Sequence, residues 1–81
     1  MLGAKLPQFY PQAGAGSGLV ALTVDEYEAV RLVDYEKLTH EQCAAHMAIS
    51  RTTVTEIYES ARFKISDSLV NGKALVISGG N

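Results

Sequence analysis

Eighty-one residues, 47% of them hydrophobic and 20% charged, specify one ordinary globular domain with no room for a second core. A net charge of −2 runs against a dedicated nucleic-acid binder, which ordinarily carries a basic surplus, and a single cysteine excludes an internal disulfide or a cysteine-rich metal framework. No apolar run approaches the ~20 residues of a membrane helix, and Met1-Leu2-Gly3-Ala4 lacks a signal-peptide start, so a cytoplasmic protein without membrane contact is expected.

Residues 1–18 hold both prolines, Pro7 and Pro11, and the run Gly14-Ala15-Gly16-Ser17-Gly18, and read as an extended arm. No Gly-Lys-Ser/Thr ending follows the glycines, so a phosphate loop is set aside. Residues 19–72 read as the folded domain. Thr23 and Glu26 form a capping box that opens a first helix running to about Tyr35, with Val24, Tyr27, Val30 (or Leu32) and Val33 as its apolar stripe. Its acidic face is expected to turn away from any phosphate backbone. Thr39 and Gln42 repeat the device at a short second helix ending near Met47. Ser50 caps a third, long helix without Gly or Pro as far as Val70, whose stripe is Val54, Ile57, Ala61, Ile65 and Leu69. Asn71-Gly72 suits its C-cap. Residues 73–81 supply a strand over Lys73-Ala74-Leu75-Val76-Ile77-Ser78, which must pair with the arm or with another chain. The expected fold is therefore mainly α: a small helix-turn-helix domain with a long recognition helix and a short C-terminal strand.

Charge is uneven along the chain. Residues 1–50 set three cations against six carboxylates, whereas residues 51–81 set four against three, so a DNA-facing surface belongs to the second half. The informative pattern is short helix, tight turn, capped helix over residues 42–57. Ala44 is small enough for a close helix crossing, Cys43, Met47 and Ile49 face the core, and Val54 and Ile57 seat the second helix of the pair. That leaves Ser50, Arg51, Thr52, Thr55, Glu56 and Glu59 outward, with Thr53 partly covered, at the end of a helix able to enter a major groove ~12 Å wide. Arg51 can grip guanine or phosphate, Thr52 and Thr55 can meet phosphate, base edges or a thymine methyl, and Glu56 or Glu59 can accept from cytosine. Arg62 and Lys64 are nominated for backbone contacts, and Thr39 and His40 for phosphate from the preceding helix.

From Leu22 onward the chain resembles a bacterial and archaeal family, the uncharacterised protein family 0251, also called domain of unknown function 134. The resemblance lies in Leu22-Thr23-Val24-Asp25-Glu26-Tyr27-Glu28-Ala29, Arg31-Leu32, Ile49-Ser50-Arg51, Glu59-Ser60-Ala61-Arg62, Lys64-Ile65, Asn71-Gly72-Lys73-Ala74-Leu75 and Gly79-Gly80, about three quarters of the chain. It implies DNA binding through a helix like that of sigma-factor region 4. Two departures stand out: the family's Arg/Lys-rich opening is missing before Phe9-Tyr10-Pro11-Gln12-Ala13-Gly14, and Ala48 occupies a turn position where the family usually has glycine. A positive φ there would cost alanine on the order of 1 kcal/mol.

His40, Cys43 and His46 are spaced three apart, which splays the histidines ~120° around a helix and argues against one metal site. No nucleophile elbow, paired acid/base motif or nucleotide fingerprint is present, so neither enzyme activity nor a cofactor is expected. The functional expectation is a transcriptional regulator that binds double-stranded DNA as a homodimer, a two-fold pair placing two recognition helices ~34 Å apart. The rival is a protein-interaction module on the same fold, favoured by the acidic balance and the absent basic arm.

Overall fold

The computed structural model describes residues 18–79. The expected arm lies outside them except for Gly18, as does the chain end at Gly80 and Asn81. In order the elements are β1 (Leu19–Leu22), α1 (Val24–Val30) continued by a π-helical turn (Arg31–Tyr35), α2 (His40–Met47), α3 (Arg51–Asn71) and β2 (Ala74–Ile77). The fold is mainly helical with a two-stranded sheet, as the patterning implied.

All three helix starts follow from a hydroxyl at the N-cap. Thr23 Oγ1 accepts from the Glu26 N–H at 3.0 Å while Glu26 Oε1 accepts from the Thr23 N–H at 2.9 Å, and Thr39 with Gln42 repeats that pair at 3.0 and 2.9 Å. Ser50 Oγ accepts from the Thr53 N–H at 3.1 Å. The π-helical turn inserts an extra residue before α2, so the Glu36 N–H reaches Arg31 O and the Leu38 N–H reaches Leu32 O.

The chain then uses one local device twice. Lys37-Leu38-Thr39 and Ala48-Ile49-Ser50 each place a left-handed residue (φ 67° and 61°), an apolar residue packed on the core, and the hydroxyl that caps the next helix. At the second of these turns the Ile49 N–H returns to Ala44 O at 3.0 Å, satisfying a carbonyl that the end of α2 leaves over. The core between the helices is Leu32, Cys43, Ala44 and Val54, with Val33, Leu38, Met47 and Ile49 against it. Ala29 of α1 and Ala61 of α3 are fully buried where those helices pack.

Three expectations need correction. Val24 and Tyr27 are exposed, and α1 instead buries Glu26 and Ala29, with Leu32 following in the π-helical turn. The reason is that Ser60 and Lys64 of α3 cover this face and give the Glu26 carboxylate partners. Leu69 is 63% exposed while Ser68 is buried, its hydroxyl donating to Lys73 O at 2.6 Å, because the last turn of α3 is packed by the returning chain on the Ser68 side. Finally, residues 19–22 form a strand within what the sequence assigns to the folded domain without an element of its own. β1 pairs in parallel with β2 in the register Leu19↔Ala74 through Leu22↔Ile77, so the C-terminal strand finds its partner within the chain. β1 buries Val20 and Leu22, whereas Leu75, Val76 and Ile77 of β2 stay substantially exposed. Among the described residues no helix is long and apolar enough to cross a membrane.

Candidate nucleic-acid interface

The α2–turn–α3 unit is built from the side chains that face each other. Cys43 and Val54 are fully buried, Ala44 nearly so, and the αL residue Ala48 reverses the chain in little space. Burial pushes the Cys43 thiol up from its ordinary range, and it lies 3.7 Å from the Met47 sulfur, so it acts as a core residue.

Packing the inner face of α3 leaves Ser50, Arg51, Thr52, Glu56 and Glu59 exposed. Thr53 is half-buried, its Oγ1 lying 2.8 Å from Ser50 Oγ. Thr55 was expected outward but is half-buried and bonds His40 Nδ1 at 2.9 Å, and the His40 ring stands edge-on to Tyr58 at 5.1 Å. Both residues therefore tie the start of α2 to α3. Thr39, His40, Glu41 and Arg51 line a shallow, open hollow of about 660 Å³ between the beginnings of the two helices. Of the sequence-nominated residues, this hollow gathers Thr39, His40 and Arg51.

Arg62 and Lys64 stand elsewhere. Arg62 donates to Asp34 Oδ2 at 2.9 Å and to the Tyr58 hydroxyl at 2.7 Å, while that hydroxyl donates to Asp34 Oδ1 at 2.7 Å. The bond to Asp34 pushes the Tyr58 hydroxyl above its ordinary range. Lys64 bridges Glu26 Oε1 at 2.8 Å and Ala21 O at 3.0 Å, joining α1, β1 and α3. Burial works to raise the Glu26 pKa, yet bonds from Lys64, Ser60 and the Thr23 backbone together hold it below the ordinary carboxylate range. These two cations thus neutralise carboxylates of the first helical segment, whose acidic face the sequence turns away from any phosphate backbone.

Sequence reasoning passed over two residues. Lys37 sits two positions before the α2 cap and, with Arg51, makes no ion pair among the described residues. Its signal was its place just outside a capped helix, beyond the reach of helical i,i+4 partners. Glu41 lines the hollow as an acid; with Asp25, Glu56 and Glu59 it too lacks an ionic partner there. The histidine–cysteine trio does not converge: His40 is bonded to Thr55, Cys43 is in the core and His46 is exposed.

Comparison with known proteins agrees with this reading of the family. The chain matches the family described as "Protein of unknown function DUF134" over residues 2–81. A UPF0251 protein of Desulfitobacterium hafniense strain DSM 10664 / DCB-2 is 57% identical over 61 residues, covering 75% of this chain and 49% of that relative. One of Thermoanaerobacter pseudethanolicus is 55% identical over 62 residues, covering 76% and 52%. One of Caldicellulosiruptor saccharolyticus is 49% identical over 77 residues, covering 95% and 55%. No solved structure matches. The chain spans about half the length of the curated relatives it matches. Sequence identity of this extent across most of the chain, together with the family match over nearly all of it, establishes that the chain belongs to the DUF134 (UPF0251) family.

Proposed function

We propose that this chain binds double-stranded DNA as a cytoplasmic transcriptional regulator, laying the N-terminal half of α3 into the major groove. The observation that carries the reading is the exposed polar start of a helix whose opposite face is locked into an α2–turn–α3 unit: Ser50, Arg51, Thr52, Glu56 and Glu59 face outward around buried Val54. Arg51 reaches guanine O6 and N7 or a phosphate, Thr52 a base edge or thymine methyl, and Glu56 or Glu59 a cytosine amino group. The His40–Thr55 bond sets where α2 meets the adjoining phosphates. No catalytic step and no cofactor is assigned.

A homodimer is part of this proposal. A two-stranded sheet is marginal alone, and β2 carries Leu75, Val76 and Ile77 at 42, 38 and 53% exposure, so pairing across its outer edge supplies the missing cover. Val76→Lys should then shift the chain from dimer to monomer in light scattering, with an unchanged mass removing β2 from the interface.

Salt titration of binding to random duplex DNA tests the DNA reading. Wild-type binding should weaken steeply as salt rises, and Arg51→Ala should bind more weakly with a shallower slope. Glu41, Glu56 and Glu59, without an ion pair among the described residues, favour a second reading, a protein-interaction module, since carboxylates on the presented face repel phosphate. Absence of binding at low salt would select that second reading.

A further inference from the structure

Which charges meet the phosphates is a separate question from whether DNA is bound, and the ion pairs of the fold narrow it. Arg31 is held by Glu28 and Glu36, Arg62 by Asp34, Lys64 by Glu26 and Lys73 by Asp67. Each of these cations already has a carboxylate within 3.4 Å, so transferring it to a phosphate leaves that carboxylate uncompensated. The described residues retain Lys37 and Arg51 as exposed cations without an ion pair.

We infer that Lys37 and Arg51 are the chain's phosphodiester contacts among the described residues, and that Glu41, which lines the α2–α3 hollow with Arg51, opposes the same backbone. This rests on the DNA reading and specifies how that surface works. Placement supports it: Arg51 and Thr39 line the hollow, and Lys37 stands two residues before Thr39. The backbone shows which kind of turn presents the charge. Lys37 and Ala48 are the two non-glycine residues with positive φ among the described residues, and they occupy equivalent places in the two turns. At φ 67° a glycine meets the conformational demand without strain, yet the position carries a long, charged, solvent-exposed side chain. Lys37 thus carries a charge at a turn position whose counterpart, Ala48, carries none.

The consequence is that the described residues bring two backbone cations per chain to the duplex, where a count of their basic residues suggests more. The test is the slope of log Kobs against log salt for the full chain on random duplex DNA. Lys37→Gly, which keeps the left-handed turn, and Arg51→Ala should each reduce the slope by about 1, so that a fourfold rise in salt costs either variant roughly fourfold less affinity than it costs wild type. Arg62→Gln should leave the slope unchanged, and Glu41→Gln should tighten binding. An unaltered slope in Lys37→Gly, or a reduction of about 1 in Arg62→Gln, would overturn the assignment while leaving DNA binding in place. Failure of the wild type to bind at low salt would remove both the DNA reading and this assignment.

Discussion

The two halves of α3 are one continuous helix of similar composition, yet their charges have opposite fates. From residue 60 onward the charged side chains are tied to the scaffold: Arg62 to Asp34, Lys64 to Glu26, and Asp67 to both Asn71 and Lys73. Over residues 50–59 the charged residues Arg51, Glu56 and Glu59 have no ionic partner among the described residues, and apart from buried Val54 this half is anchored through His40–Thr55 and Tyr58–Asp34. Helical periodicity is the same in both halves; what differs is which neighbours cover them. The far half lies against α1 and β1, which bring a carboxylate and a carbonyl to it, whereas the near half lies against α2, which brings His40 to Thr55. Whether an arginine or lysine binds a partner or braces the fold is therefore decided by tertiary neighbours, and residue type carries little of the answer.

The sharpest way to break this comparison is to remove the far half's central cation. Lys64→Met leaves the Glu26 carboxylate, whose side chain is 9% exposed, without its ionic partner. Removing one member of a buried pair is costly, and the partial exposure of Lys64 at 31% moderates the effect to roughly 2–3 kcal/mol of lost stability. Urea unfolding should show this as a lower midpoint at unchanged slope. A change within about 0.5 kcal/mol would mean that the node braces little and that Lys64 is available to a partner.

Acid should act on the same half. Glu26 is held below its ordinary value of 4.5 despite burial, and Asp67 below 3.8, chiefly by its bond from Lys73. Each binds fewer protons in the folded chain than in the unfolded one. Their contribution is therefore fully present above those ordinary values and is lost as pH falls through the depressed folded ones. Stability measured from pH 6 down to 3 should decline below about 4.5, and the decline should be shallower in Lys64→Met, where the depression of Glu26 is relieved. Equal declines in the two proteins would separate Lys64 from the Glu26 titration.

The sequence made the near half legible and the far half obscure. Thr23, Thr39 and Ser50 announce their helices because capping is a contact over three residues, and Asn71-Gly72 marks the end of α3 for the same local reason, with Gly72 at φ 67°. Ala44, Val54 and the intervening turn are close enough in the chain for spacing to reveal their packing. Lys64 and Glu26 are 38 residues apart and Lys64 and Ala21 are 43 apart, beyond any helical period. Glu26 moreover looks fully used as a capping residue, and nothing local signals that it also receives Ser60 and Lys64. β1 was hidden in a different way. Four apolar residues without polar alternation become a strand only when β2 arrives from the other end of the chain. The family's usual glycine raises the question of a positive φ at Ala48, which the structure answers, whereas the matching geometry of Lys37, just after the π-helical turn, has no such signpost.

The two left-handed turns sharpen the comparison at smaller energy. Ala48→Gly and Lys37→Gly each relieve an αL residue bearing a Cβ, with expected gains of up to about 1 kcal/mol after the entropy that glycine adds to the unfolded chain. Thermal unfolding should therefore move both variants upward together. Their DNA binding should part company: Ala48→Gly should retain the wild-type salt slope, since it removes no charge, and Lys37→Gly should lose part of it. A loss of binding in Ala48→Gly would mean that the turn's rigidity, rather than its neighbouring charge, positions α3.

The smallest expected change in stability is in the near half itself. Glu56 and Glu59 are exposed and without ionic partners among the described residues, so Glu56→Gln and Glu59→Gln should each shift stability by no more than about 0.5 kcal/mol. Their effect on binding separates two roles that share one helix face. If a carboxylate merely faces phosphate, its amide tightens binding to every duplex alike, because repulsion is independent of sequence. If it accepts from a cytosine amino group, its amide weakens binding to a selected site while binding to random duplex holds or strengthens, because only the base-specific bond is lost. A selected duplex and a random one, titrated side by side with each variant, thus assign each glutamate to base reading or to backbone repulsion without disturbing the braced half of α3.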